Sequence, residues 1–229
     1  METLTTNKVS IVLRFFLRYM ETKERILVKA HELFMRYGIR SVSMDDIATN
    51  LGMSKKTIYQ FFADKDELVD AIMDVEIVNM QNDCTSCSIR ARDAVNEIFL
   101  TMEQILEQFS QMNPMVLYDM EKFHHRAYQK IMKHKHDFIL KIISSNLERG
   151  KAEGLYRPEV NVEIMARFRL ESMMLAFNID LYPPKKFPLV EVTRELIEHF
   201  VYGISTLKGI KLIEKYKLEL NKKLSSNAK

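Results

Sequence analysis

The stretch GIRSVSMDDIATNLGMSKKTIYQFFADKDELVDAI, residues 38–72, holds three helix starts in close succession. Ser43 stands three residues before Asp46, a capping-box spacing with Asp in place of Glu, so a helix is expected to begin after Ser43. Ile47, Ala48 and Leu51 give that helix an inner face, and Gly52 ends it. Ser54 then offers a second cap, for a very short helix from Lys55 to Phe62. Asp64 and Glu67 make a third cap pair, and Leu68, Ala71, Ile72 and Val75 carry a longer helix onward. Two short helices joined by a tight Gly52-Met53-Ser54 corner form a helix-turn-helix pattern.

The short helix reads as two-faced. Ile58 and Phe62 lie one turn apart and point inward. Lys55, Lys56, Thr57, Tyr59 and Gln60 are left outside. Lysines, a hydroxyl, a phenol and an amide suit phosphates and base edges, and a helix of this size fits a major groove. Asp45 and Asp46 would oppose phosphate but suit the positive end of a helix dipole.

Upstream, Ile26, Ala30, Leu33, Phe34 and Tyr37 recur at helical spacing. They predict a helix over residues 22–37, with Thr22 as N-cap, Glu24 in the first turn and Gly38 as the stop. Residues 1–19 read as an N-terminal extension, either disordered or arising from a misassigned start codon. The apolar run from Ser10 to Tyr19 is interrupted by Arg14 and Arg18 and falls short of the ~20 residues that span a bilayer. A cytoplasmic protein without membrane contact is the expectation.

Downstream, long amphipathic helices follow. Ala94, Ile98, Met102, Ile105 and Phe109 form one stripe, and Pro114 suits the start of a helix through Tyr118 and Phe123. Another helix spans roughly His125 to Lys151, with a break at Gly154 and Pro158. Asn161 caps a helix bearing Met165, Phe168, Ser172 and Ala176; residues 182–188 form a loop; Thr193, Ile197, Phe200 and Ile204 mark the next helix. The expected division is therefore 1–19 extension, 20–66 helix-turn-helix domain, 67–223 helical domain and 224–229 tail.

Composition agrees with an all-α class. Six glycines and five prolines leave little material for the turns that strands need, and 47% hydrophobic residues supply a core. A net charge of +3 does not by itself argue nucleic-acid binding, so any basic surface must be clustered. Cys84 and Cys87 lack the further ligands of a zinc site and read as structural.

Residues 38–72 resemble the signature of the TetR family of transcriptional regulators, through Ile47-Ala48, Leu51-Gly52, Ser54, Thr57-Ile58-Tyr59, Phe62, Lys65 and Leu68. The resemblance implies a three-helix N-terminal DNA-binding domain and a C-terminal helical domain for ligand binding and dimerisation. It implies double-stranded operator DNA as partner, a homodimer reading a palindrome, an unknown small-molecule inducer and no cofactor. Thr57, Tyr59 and Lys65 fall at positions that hold DNA backbone or bases in the family. Ser43 is expected to cap its helix and reach a phosphate, and Thr22 and Lys23 to touch phosphate from the first helix. Lys55, Lys56 and Gln60 are the candidates for base readout.

Asn146-Leu147-Glu148-Arg149-Gly150 and Gly154-Leu155-Tyr156-Arg157 extend the resemblance into the second domain. The last two core helices, residues 161–180 and 189–207, are expected to dimerise through Phe168, Ser172, Ala176, Phe200 and Ile204. Met102, Phe109, Tyr118, Phe123, Phe138 and Met173 are candidates to line a ligand pocket. His134 and His136, two apart on a helix, do not share a face, so Lys133 to His136 reads as a solvated basic face and no metal site is expected. Two rivals remain. A metal-dependent hydrolase is opposed by the neighbourhoods of His31 and His134, which lack Glu-x-x-His or His-x-x-x-His pairs. A TetR-like protein acting through protein partners would differ in failing to shift DNA.

Overall fold

The computed structural model describes residues 3–227, with side chains from Tyr19 to Lys223. The chain is all-α, and among the described residues the only β-type pairing is a single antiparallel bridge between Tyr156 and Ser205. Four helices make the head: α1 (Thr3–Tyr37), α2 (Met44–Leu51), α3 (Lys55–Tyr59) and α4 (Lys65–Arg90). The body adds α5 (Ala94–Phe109), α6 (Met115–Phe123), α7 (His125–His134), α8 (Leu140–Ala152), α9 (Val162–Leu175), α10 (Leu189–Ile204) and α11 (Leu207–Asn227). A single π-helical turn, Lys135–Ile139, joins α7 to α8, so the helix expected from 125 to 151 exists with a local widening that periodicity did not foresee.

The caps form as their side chains dictate. Ser43 and Asp46 make a full capping box, Ser54 and Asp64 each accept the amide three residues on, and Gly52 closes α2 at φ 63°. Asp93 and Asn161 cap α5 and α9 in the same manner. Three expectations need correction. Thr22 is no N-cap: α1 runs unbroken from Thr3, and Thr22 lies inside it. Of the expected extension 1–19, residues 1 and 2 fall outside the described ones and the rest is helical backbone. The helix after Ser54 is also shorter than expected, ending at Tyr59 with a turn carrying Gln60 to Phe62.

The head core gathers Ile26, Ala30, Phe34, Ile47, Ile58, Phe62 and Leu68, and Val116, Met120 and Ala127 from α6 and α7 join it. Head and body are therefore packed together, and α4 belongs to both: the boundary expected at 66/67 falls within its first turn. In the body, α5 is central, packing on α4, α8, α10 and α11. Tyr156 is fully buried over Gly150, and its hydroxyl donates to Asn146, whose amide donates to the Ala94 carbonyl. That chain of bonds satisfies a polar centre that would otherwise be costly to bury.

Candidate nucleic-acid interface and regulatory cavity

The surface of α3 follows from its anchors. Ile58 and Phe62 are buried, which turns Lys55, Lys56, Tyr59 and Gln60 outward. Tyr59 is 42% exposed, a large aromatic left open beside two lysines. Thr57 is half-buried, its hydroxyl 2.8 Å from that of Ser54. Five groups able to meet phosphate or base edges thus share one face of one short helix.

Around that face, several cations already have intramolecular partners. Lys55 pairs with Asp45 at 2.8 Å and lies 5.9 Å from the centre of the Tyr59 ring. Asp45 therefore does more than face the α2 dipole: it tethers the first lysine of α3. The Ser43 hydroxyl donates to Asp46 at 2.6 Å, and bonds from Ser43 hold the Asp46 carboxyl below the ordinary carboxylate range. The Ser43 proton expected to reach phosphate is thus engaged within the cap. Lys65 turns inward, donating to the Ile39 carbonyl and lying 5.6 Å over the Phe34 ring. Burial lowers its ammonium pKa, and its neighbours Asp119, Asp66 and Asp46 oppose that shift. From α1, Lys23 lies 5.7 Å over the Phe62 ring, while Thr22 is half-buried.

A polar seam ties this head to α6 and α7. The Arg40 amide donates to Asp119 at 2.9 Å, and the Asn113 amide to the Met35 carbonyl at 2.6 Å. Buried His124 meets Asp66 at 2.5 Å, and Arg126 and Lys130 grip buried Asp70 at 2.9 and 3.0 Å. Glu121 stands three residues before His124, a spacing metal sites use, but the ring is turned to Asp66 instead. Sequence reasoning missed this seam, because its partners lie more than fifty positions apart.

The body holds a cavity of about 240 Å³ between α4, α5, α8, α9 and α10. Met102, Phe109 and Met173 line it, as expected from their stripes. Tyr118, Phe123 and Phe138 do not, and these three are corrected. Tyr118 and Phe123 are exposed on α6, the latter under the Arg40 guanidinium, and Phe138 stacks on His134 at 5.2 Å. The π turn brings Ile139 to the wall, and Cys84 lines it with its thiol pushed up by burial to about 11. The solvated basic face expected over 133–136 is only half right. His134 and Lys135 are buried, Lys135 paired with Glu171 at 2.8 Å, whereas Lys133 and His136 are exposed.

Four of the five expected dimer residues are already used inside the chain. Ser172, Ala176, Phe200 and Ile204 are buried, because they face neighbouring helices of the same body. Phe168 is 52% exposed, and Ile164 and Leu175 are exposed with it on α9.

Residues 26–72, the head core and the α3 face together, match the family model described as bacterial regulatory proteins, tetR family. The chain is 23% identical over 190 residues to the uncharacterised helix-turn-helix regulator YvaF of Bacillus subtilis, covering 80% of this chain and 95% of YvaF. The fold is similar to that of a TetR-family regulator from Agrobacterium tumefaciens, with TM-score 0.67, 14% identity, and coverage of 82% of this chain and 99% of that one. It is also similar to FadR of Bacillus subtilis, solved with stearoyl-CoA, with TM-score 0.58, 17% identity and coverage of 79% and 98%. An exposed, capped reading helix, a head seated on an all-α body and the match across residues 26–72 agree: those residues form a DNA-binding head of the TetR family of bacterial regulatory proteins.

Proposed function

We propose that this chain acts as a homodimeric, ligand-responsive repressor that binds a palindromic operator in the bacterial cytoplasm. The observation that carries the reading is the outward face of α3, where Lys55, Lys56, Thr57, Tyr59 and Gln60 stand over the buried anchors Ile58 and Phe62. In a dimer, two such helices enter successive major grooves roughly 34–36 Å apart. The exposed apolar residues of α9, Ile164, Phe168 and Leu175, lie four and seven positions apart on one helical face and supply the dimer contact. The body cavity takes the ligand, as an acyl-CoA is bound by FadR, a protein of like fold. Its wall includes α4, which also carries Leu68 and Ile72 of the head core. A ligand that favours one position of α4 thereby shifts the spacing of the two reading heads.

A gel-shift assay with the chain's own upstream region tests this. A retarded dimer complex is expected at low salt. Tyr59→Ala should weaken it about tenfold or more, with the dimer intact by light scattering. Lys65→Ala should reduce the slope of log K against log salt by about 0.9 if its ammonium swings from Ile39 to a phosphate. An unchanged slope with lowered stability would assign Lys65 to the Ile39 carbonyl alone. No shift at any salt would favour a protein partner instead.

A further inference from the structure

One charged group lining the body cavity has no counterion among the described residues. Arg169, on α9, stands among Met102, Ile143, Met173 and Phe200. Its guanidinium reaches the Ser172 hydroxyl at 3.5 Å, the outer limit of a hydrogen bond, and lies 5.6 Å from the centre of the Phe200 ring. Among the described residues no carboxylate is within ion-pair distance of it. Arg169 keeps some accessible surface, as a cavity wall must, yet it is packed deeply enough that burial pushes its guanidinium down to about 10. It therefore stays charged at neutral pH.

A cation held in apolar surroundings without a counterion costs stability, and a methionine or leucine would fill the same wall without that cost. The carboxylates that do line the cavity are engaged elsewhere. Glu97 pairs with Arg149 at 3.3 Å, and Asp83 takes the Gln108 amide at 3.4 Å. No lysine or histidine is among the described lining residues, so Arg169 is the one cation of the wall without a carboxylate partner, while Asp83, held only by a neutral amide, lies at the exposed side.

We propose that Arg169 is the anion anchor of this cavity and that the ligand is an amphiphilic monocarboxylate. The inference deepens the ligand-responsive reading and rests on it. A guanidinium fork matches a carboxylate with two parallel hydrogen bonds. A phosphate monoester carries up to two negative charges and calls for more cations than the wall supplies. Size limits the body of the ligand. A cavity of about 150 Å³ holds a benzene ring, so 240 Å³ takes a molecule of about ten heavy atoms. Octanoate and 3-phenylpropanoate are of that size.

Calorimetric titration of the full chain tests the assignment, using those two acids against 1-octanol and 3-phenylpropan-1-ol. At least one acid should bind about tenfold to a hundredfold more tightly than its alcohol, the range of a hydrogen bond to a charged group. Arg169→Met should bring that acid down to the affinity of its alcohol. Equal affinities of acid and alcohol in the unaltered chain would overturn the proposal, and this comparison needs no variant to fold. A chain that shifts operator DNA yet ignores both acids up to the millimolar range would also overturn it, while leaving the regulator reading intact. A chain that prefers the acid through Arg169 but shifts no DNA would sustain the anchor and sink the operator reading.

Discussion

Between Ser43 and Glu67, three helix caps and the whole exposed face of α3 come from one continuous run of chain. Around the cavity, Met80, Met102, Ile143, Arg169 and Phe200 come from five different helices. The head is a local object: each cap satisfies amides three residues away, and each buried anchor fixes the direction of its immediate neighbours. The body is a tertiary object, whose binding surface exists only after α4, α5, α8, α9 and α10 have packed. Substitutions in the head should therefore act on DNA recognition through nearby geometry. Substitutions in the body should act through stability or ligand.

The largest effect that would test this division is Phe62→Ala. Phe62 is buried under the reading helix, so truncation should cost about 3–5 kcal/mol by lost transfer and an unfilled cavity. Hydrogen exchange should then quicken over residues 38–72, and in α6 with them, because Val116 and Met120 share that core. Protection in α10 and α11 should persist. Equal loss throughout the chain would show that head and body unfold as one unit and that the division is only geometric.

The same contrast explains what the sequence made legible. Ser43, Gly52, Ser54, Asp64 and Asn161 announce their caps because capping is a matter of residue type at fixed short offsets. Ile58 and Phe62 announce the α3 face for the same reason. The cavity wall was only half readable. Met102 and Phe109 of α5 and Met173 of α9 sit on stripes that do face it. Tyr118 and Phe123 sit on a stripe equally apolar, whose helix is turned so that both are exposed. Periodicity gives a helix a face but does not say what the face meets. Phe200 and Ile204 were assigned to a dimer contact on that basis, yet both point into the body. Arg169 carried no signal: one arginine in an amphipathic helix reads as solvated until its neighbours are placed. Lys65 shows the opposite limit, since its position in the signature is plain while its inward turn to Ile39 depends on where α1 ends.

A middle-sized effect comes from the body. A Cβ at Gly150 would stand 2.0 Å from the Tyr156 ring, which is fully buried and bonded to Asn146. Gly150→Ala should cost about 1–3 kcal/mol through overpacking and lower Tm by roughly 2–4 °C per kcal/mol for a chain of this size. Operator affinity well below the transition should match the unaltered chain, since Tyr156 and its partners Asn146 and Ala94 all lie in the body. A proportionate loss of DNA binding would couple Gly150 to the head and weaken the contrast.

The smallest effect is the sharpest test of the head as a local device. Asp45 holds Lys55 at 2.8 Å on a surface where both side chains are more than half exposed, so solvent screening leaves the pair little weight in stability. Its larger consequence is electrostatic: a carboxylate stands beside the reading face and engages the lysine that begins it. Asp45→Asn removes that charge and frees Lys55 together. Affinity for non-operator duplex should rise severalfold, and the slope of log K against log salt should steepen by about 0.9, one added phosphate contact. Discrimination between operator and random DNA should fall, because the gain is independent of sequence. Unchanged slope with a small loss of helix stability would mean that Asp45 serves the α2 dipole alone. In that case Lys55 is not restrained by its pair, and the count of cations available to DNA on α3 is already complete in the unaltered chain.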